Sequence, residues 1–435
     1  MLKVLKNNDI MNFDRTVSPK VEPINRVDIP LPEKCQLTNG IPLFSFDLTD
    51  QDLIRVEIVF KSGSAHEHST LGADFTAKML REGTVAKSGK EIADYIDYHG
   101  SFIEQTISKD ITTFTLFTLT KFVHQTIEVL AEIISSPIFP EKELETLKKN
   151  ELQKFQVNMQ KNSVACKHEF GKLLYPKSHP YFSNVLANDF DVNREQLIQH
   201  HKQFLNLSDA TIFVAGKVTK DVLKTIDSVI GKVENRNSNK SKIKRIDEVV
   251  ATKVLLPKNG AVQSAIRIGR LLPFTMSGND FIPFQVLNTL LGGYFSSRLM
   301  ANIREDKGFT YGIGSGLLAN RSSTIFLIAT EVNVNSTNET LKEISFEMDR
   351  LKTEKVSNSE LSRVKKFMTG SFLRSSDGPF NVSDKYKSSY FHGLDNEFNS
   401  LYLSKIQDVS SENVRDLAIK YLNDKDMIEV VVGNR

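Results

Sequence analysis

Few places in this 435-residue chain put reactive side chains at chemically useful spacings. His66-Glu67-His68 sets two imidazoles at i and i+2, which on a strand share a face and could bind a metal. The run leads into Ser-Thr-Leu-Gly, however, and reads as a strand end entering a loop. Cys166 and His168 are a thiol and a base two residues apart; on a helix such positions point apart, which favours a structural role. His200-His201 reads as a pair on a helix surface. GTVAKSGKE (83–91) imitates a phosphate loop but fails as one, because five residues separate its glycines and Glu91 follows Lys90 where a hydroxyl residue is needed. In ANIREDKGFTYGI, Arg304 and Tyr311 are two hydrogen-bond donors seven residues apart, and Gly308 between them is placed to end a helix and turn the chain into a strand. Taken alone, they are a helix-end arginine answering the C-terminal dipole and a tyrosine filling a strand.

The elements that must carry these residues are those of a globular protein. Hydrophobic residues make up 40% and charged residues 25%. Fifty-six basic residues stand against 53 acidic ones, and no basic run is interleaved with aromatics, so no nucleic-acid partner is expected. Two cysteines, Cys35 and Cys166, exclude a disulfide framework. No stretch approaches the roughly 20 apolar residues of a membrane-spanning helix. The first residues, MLKVLKNNDIMNFDR, lack the apolar core of a signal peptide. A cytoplasmic location is the expectation, or a periplasmic one if a signal has been removed.

Strand-like runs occur at LIRVEIVF (53–60), ITTFTLFTLT (111–120) and ATIFVAG (210–216), and helical patterns at GADFTAKMLREGT, KEIADYIDYHG, TIEVLAEIIS, ELETLKKNELQKFQ and REQLIQHHKQFL. The second half repeats this order. TIFLIATEV matches TFTLFTLT, ELSRVKKFMTGSF matches ELETLKKNELQKF, and VRDLAIKYLNDKDMIEVVVG matches LIQHHKQFLNLSDATIFVAG. Glu143 maps to Glu360 and Gly216 to Gly433, both 217 residues on, which marks an internal duplication. Residues 1–36 then form an extended lead-in, 37–233 a first domain, 234–247 a polar linker and 248–435 a second domain. The expected fold class is α+β: two homologous domains, each a mostly antiparallel sheet with helices packed on one face, able to clamp a cleft between them.

The order of motifs resembles the pitrilysin/insulinase-type zinc peptidases, the inverzincins. The resemblance rests on LTNGIPLFSF (37–46), FKSGSAHE (60–67), GADFTAKMLREGT (72–84), HPYF (179–182), FVAGKV (213–218) and LLGGYFSSRLMANIREDKGFTYGI (290–313). Such peptidases need H-x-x-E-H on a helix: two histidines for zinc, a glutamate as base, and a distant glutamate as third ligand. Counting back from Gly83-Thr84 puts Asp74, Ala77 and Lys78 at those three positions, and none of them can do the corresponding task. Asp74 and Lys78 remain i, i+4 neighbours able to pair. The third-ligand position falls near Gln153 or Lys154, with Glu151 slightly out of register. The resemblance further implies that Arg304 and Tyr311 grip substrate and steady a tetrahedral intermediate across the cleft.

These implications combine into a non-catalytic subunit of a heterodimeric zinc metalloendopeptidase. No cofactor is expected in this chain, and zinc is expected in a homologous partner bearing H-x-x-E-H; the substrate would be a peptide or unfolded polypeptide. Two other readings stand beside it. One is a structural or binding protein of the same fold, like the core subunits of the respiratory cytochrome bc complex. The other is a protease with a relocated metal site around His66 and His68.

Overall fold

The structure is a computed structural model that describes residues 16, 17, 24, 26–233, 243–246 and 250–434. Most of the expected linker, and the first part of the lead-in, lie outside the described residues. The chain builds two sheets. The first contains β1 (Glu33–Gln36), β2 (Pro42–Asp47), β3 (Leu53–Phe60), β4 (Phe102–Ile107), β5 (Thr112–Leu119) and β6 (Ala210–Gly216), in the spatial order β1-β2-β6-β3-β5-β4. The second contains β7 (Thr252–Pro257), β8 (Gln263–Leu272), β9 (Ile313–Asn320), β10 (Ser323–Asn333) and β11 (Ile428–Gly433), in the order β7-β11-β8-β10-β9. Each sheet is antiparallel apart from one parallel pair, β2 with β6 and β7 with β11.

The duplication is visible in the register. Asp47 lies opposite Gly216 as Pro257 lies opposite Gly433. Both glycines have positive φ, +125° and +138°. A Cβ at Gly216 would stand 2.1 Å from the Leu53 carbonyl oxygen, and one at Gly433 2.5 Å from Ser264 Oγ, so close strand approach and backbone conformation both require glycine there. The first sheet has one extra edge strand. It is β1, formed by the last residues of the lead-in, and its exposed EKCQ carries no alternation that would have announced it.

Each half packs its own helices on one face of its sheet. In the first half these are α1 (Gly72–Met79), α2 (Gly89–Tyr98), α3 (Val123–Ser135), α4 (Glu141–Met159), α6 (Arg194–Phe204) and α7 (Lys220–Ile230), around Ile54, Val56, Ile58, Leu116, Ile212 and Val214. In the second they are α8 (Phe281–Asn288), α9 (Thr337–Thr353), α10 (Asn358–Arg374), α12 (Phe398–Gln407) and α13 (Ser411–Tyr421), around Ile266, Ile268, Phe326 and Ile328. The remaining two helices, α5 (Asn162–Leu173) and α11 (Gly378–His392), occupy corresponding places in the two halves and are exchanged. Cys166 and Phe170 of α5, with Leu174 at its C-terminal cap, lie with Ala265, Val430 and Val432 of the second sheet. Val382 and Tyr386 of α11 lie with Phe44, Phe46, Phe213 and Ala215 of the first. Burial of each such large side chain contributes about 1.5–3 kcal/mol, so the exchange ties the halves together firmly. β6 is consequently buried on both faces, which is why ATIFVAG reads as a continuous apolar run.

Polar clasps complete the exchange. Arg55 of β3 holds Asp384 of α11 through two hydrogen bonds of 3.0 Å and donates a third to the Phe380 carbonyl at 3.0 Å. Lys387 of α11 bridges Glu57 and Asp384. At the far end, Asp110 accepts from the Tyr181 hydroxyl and, at 2.8 Å, from the Arg321 backbone N–H, joining the β4–β5 turn to the β9–β10 turn.

Candidate functional site

α1 follows β3 and the short 3-10 turn Ser64–His66, and its N-terminus is fixed by a residue just before it. The Glu67 carboxylate accepts from the backbone N–H groups of Leu71 (3.3 Å) and Ala73 (3.1 Å), which have no intrahelical partner. Burial pushes the Glu67 carboxyl up to about 7 against the opposing pull of those N–H groups and of Lys109. The flanking histidines do not form a metal site with it. His68 Nε2 lies 2.8 Å from Gln203 Oε1, and both His66 and His68 pack near the Phe204 ring.

The helix then presents Asp74 and Lys78 one turn apart, with Ala77 fully buried between them (0% exposed). Lys78 Nζ stands 2.7 Å from Asp74 Oδ2 and 2.9 Å from Glu151 Oε2 of α4. The second Glu151 oxygen takes Lys154 Nζ at 2.8 Å. Glu151 is therefore the α4 residue that reaches this helix. Gln153 and Lys154, near which the sequence pattern placed the third ligand, are exposed, and Lys154 pairs with Glu151 instead of facing α1.

The electrostatics follow from this arrangement. Burial alone would lower the Lys78 ammonium, but hydrogen bonds to Asp74 and Glu151 outweigh it and hold its pKa above the ordinary lysine value. Burial would likewise raise the Glu151 carboxyl, and Lys154 and Lys78 together hold it below the usual range. The two carboxylates thus converge on an ammonium. These residues do not fit zinc: the centre of the cluster is itself a cation, and the residue beside it is an alanine that cannot accept a proton. Among the described residues, no group of three or more His, Cys, Asp or Glu side chains is arranged to hold a metal ion.

Arg304 and Tyr311 sit where the chain passes from a π-helical turn, Met300–Asp306, through Gly308 at φ +66° into β9. The Arg304 guanidinium stacks 4.7 Å above the ring of Phe295, which is 63% exposed. Tyr311 does not fill the strand; it precedes β9 and is 95% exposed. It stands at the edge of a cavity of about 380 Å³ between α5 and the second sheet, lined also by Cys166, Arg267 and Glu331. No hydrogen bond or cation–ring contact joins Arg304 to Tyr311 among the described residues.

The other reactive residues have structural surroundings. Cys166 is buried, with burial pushing its thiol up to about 12, and its Sγ lies 3.4 Å from the Val430 carbonyl. His168 Nε2 meets the Val185 carbonyl at 2.9 Å. Ser88 and Glu91 form a reciprocal cap on α2, which explains the Ser-Gly-Lys-Glu sequence without any phosphate. The expected surface pair at 200–201 needs correction. His200 is buried and pushed down to about 4 by burial and neighbouring histidines, and His201 meets the Ile134 carbonyl at 2.6 Å, because α6 packs that face on α1 and α3.

No helix among the described residues is long and apolar enough to cross a membrane. Residues 47–170 match the insulinase family (peptidase family M16), and residues 191–368 match the peptidase M16 inactive domain. The chain is 24% identical over 347 residues to an uncharacterized zinc protease, YmxG, of Bacillus subtilis, covering 78% of this chain and 83% of that protein. It is 23% identical over 395 residues to the non-peptidase homolog YmxG of Helicobacter pylori, covering 87% and 89%. Among solved structures, a peptidase M16 inactive domain from Pseudomonas fluorescens superposes with a TM-score of 0.85 at 21% identity, over 93% of this chain and 98% of that one. A protease from Helicobacter pylori gives the same TM-score at 19% identity, over 93% and 100%. With both halves matched in order and the fold shared throughout, the chain belongs to the insulinase family, peptidase family M16.

Proposed function

We propose that this chain is the non-catalytic subunit of a heterodimeric zinc metalloendopeptidase, supplying substrate-binding groups to a partner that bears H-x-x-E-H. The observation that carries the reading is the Asp74–Lys78–Glu151 cluster, which puts an ammonium where the family's chemistry needs a metal. A chain in that state has lost the means to activate water, yet it keeps the fold and the Arg304 and Tyr311 positions.

The exposure of Tyr311 supports a role outside the core: nothing in the packing of β9 requires a phenol at that point. In this reading Arg304 and Tyr311 donate hydrogen bonds to substrate carbonyl groups and to the oxyanion that forms at the partner's zinc. The partner's residues carry the water activation, and this chain binds and orients an unfolded peptide.

The test is isolation of the native complex. Affinity purification of this chain from its own cells should recover a homologue with an intact H-x-x-E-H and chelator-sensitive peptidase activity. Recovery with a membrane complex, and without any such homologue, would favour a structural role for the fold.

A further inference from the structure

The duplication gives the degenerate cluster a counterpart in the second half. Residue for residue, Met368 stands 217 positions after Glu151, Phe372 after Phe155, and Lys385 after His168. The contacts repeat as well as the sequence. The His168 ring lies 6.4 Å from that of Phe155, and Lys385 Nζ lies 4.1 Å from the centre of the Phe372 ring. α8 follows β8 as α1 follows β3. Where α1, α4 and α5 converge in the first half, α8, α10 and α11 converge in the second, and there they leave a cavity of about 420 Å³.

That cavity is walled in part by a cation that no carboxylate satisfies among the described residues. Asn288 lines one wall, but its carbonyl oxygen Oδ1 is closed off by the surrounding packing. The Lys385 ammonium rests on an aromatic face with no carboxylate paired to it among the described residues. Burial pushes Lys385 down to about 8, the direction expected of a cation with no compensating anion. Hydroxyls of Ser371 and Ser388 and the apolar side chains of Met276 and Phe398 complete the walls. A half-buried cation with no carboxylate beside it raises the free energy of the empty site, and a ligand offering an anion would relieve it.

We propose that this cavity binds a small ligand bearing a carboxylate beside an apolar group, as presented by the C-terminal residue of a peptide or by a free amino acid. The carboxylate pairs with Lys385, with the Ser371 and Ser388 hydroxyls beside it. An apolar side chain of the ligand lies against Met276 and Phe398. The site lies within this chain and needs no partner subunit, so it stands or falls separately from the heterodimer reading.

Calorimetric titration of the full-length chain with N-acetyl-alanyl-leucine, its C-terminal amide and free leucine tests the proposal. Saturable binding of the acid at about 1 mM or tighter is expected at pH 7, weakened about tenfold or more in the amide. Lys385→Gln should weaken the acid by a similar factor, with an unchanged melting temperature certifying the fold. Affinity should fall as the pH rises past about 8, where the ammonium deprotonates. If leucine binds as well as the dipeptide, the ligand is a free amino acid; if only the dipeptide binds, it is a peptide end. Both results support the site. Equal binding of acid and amide, equal binding by folded Lys385→Gln, or no saturable binding of either carboxylate probe would overturn it.

Discussion

Replacing Lys78 by methionine removes one charge from the Asp74–Lys78–Glu151 cluster and keeps most of the length of the side chain. Its ammonium makes two ion pairs, one to Asp74 on the same helix and one to Glu151 across to α4. The first joins two side chains that are 29% and 35% exposed, so it contributes about 0.3–0.5 kcal/mol. The second reaches a carboxylate that is only 17% exposed, but Glu151 keeps Lys154 when Lys78 is lost, which argues for roughly 1–2 kcal/mol instead of the larger penalty of stranding a charge. The expected loss is therefore about 1.3–2.5 kcal/mol at neutral pH. The sign of its pH dependence follows from the two shifts. Glu151 is held below its ordinary value, so its contribution is present above that value and is lost as the pH falls through the depressed folded one. Lys78 is held above its ordinary value, so its contribution is complete below that value and is lost only as the pH rises through the raised one. The stability gap between the natural chain and Lys78→Met should be flat from about pH 5 to pH 9 and should shrink below about pH 4. Guanidinium unfolding at several pH values measures the gap, and a cycle with Glu151→Gln isolates the cross-helix pair at about 1 kcal/mol. A Lys78→Met chain as stable as the natural one, or a coupling of zero, would refute the reasoning.

Four other outcomes are expected. Rebuilding the motif as Asp74→His, Ala77→Glu and Lys78→His should give a less stable chain without efficient peptidase activity, since the glutamate enters a fully buried position and the neighbours that orient metal-bound histidines are not in place; efficient hydrolysis would contradict this. Arg55→Met should destabilise by about 3 kcal/mol or more, read by chemical unfolding, because it leaves buried Glu57 and the α11 carboxylate Asp384 short of a partner. In the assembled complex, Arg304→Ala or Tyr311→Phe should lower turnover about a hundredfold with the partner's zinc content unchanged; full activity in both would reduce this chain to a scaffold. Stability relative to Glu67→Gln should decline between about pH 4.5 and pH 7, because the folded carboxyl keeps its proton up to about 7 while the unfolded one releases it earlier.

Much of this architecture was legible before any coordinates. The strands at 53–60 and 210–216 and the repeat at 217 residues came from β-branched runs and helix faces that burial makes periodic. The i, i+4 spacing of Asp74 and Lys78 was enough to pair them. The exchange of α5 and α11 was not legible, for a physical reason. The stripe Cys166, Phe170, Leu174 announces a buried helix face, but periodicity says only that a face is covered and not which sheet covers it. The α4 register stayed open between Glu151 and Gln153 or Lys154, because each step along a helix turns a side chain by about 100°, and only the distance to Lys78 shows that Glu151 reaches α1. His200 looked like a surface residue because polar type was taken for exposure, whereas two neighbouring helices pack against that turn of α6. The cavity at Lys385 left no motif at all, since its members come from α8, α10 and α11, and only the 217-residue repeat connects them to the first half.

The central claim is tested most directly by reconstitution with a homologue that carries H-x-x-E-H, measuring zinc content and hydrolysis of an unfolded peptide for each chain alone and for the mixture. The account requires that this chain alone carry no stoichiometric zinc and cleave nothing. It also requires that the mixture assemble, hold one zinc per pair and hydrolyse the peptide far faster than either component. Near-equimolar zinc in this chain by itself, accompanied by chelator-sensitive proteolysis, would contradict it.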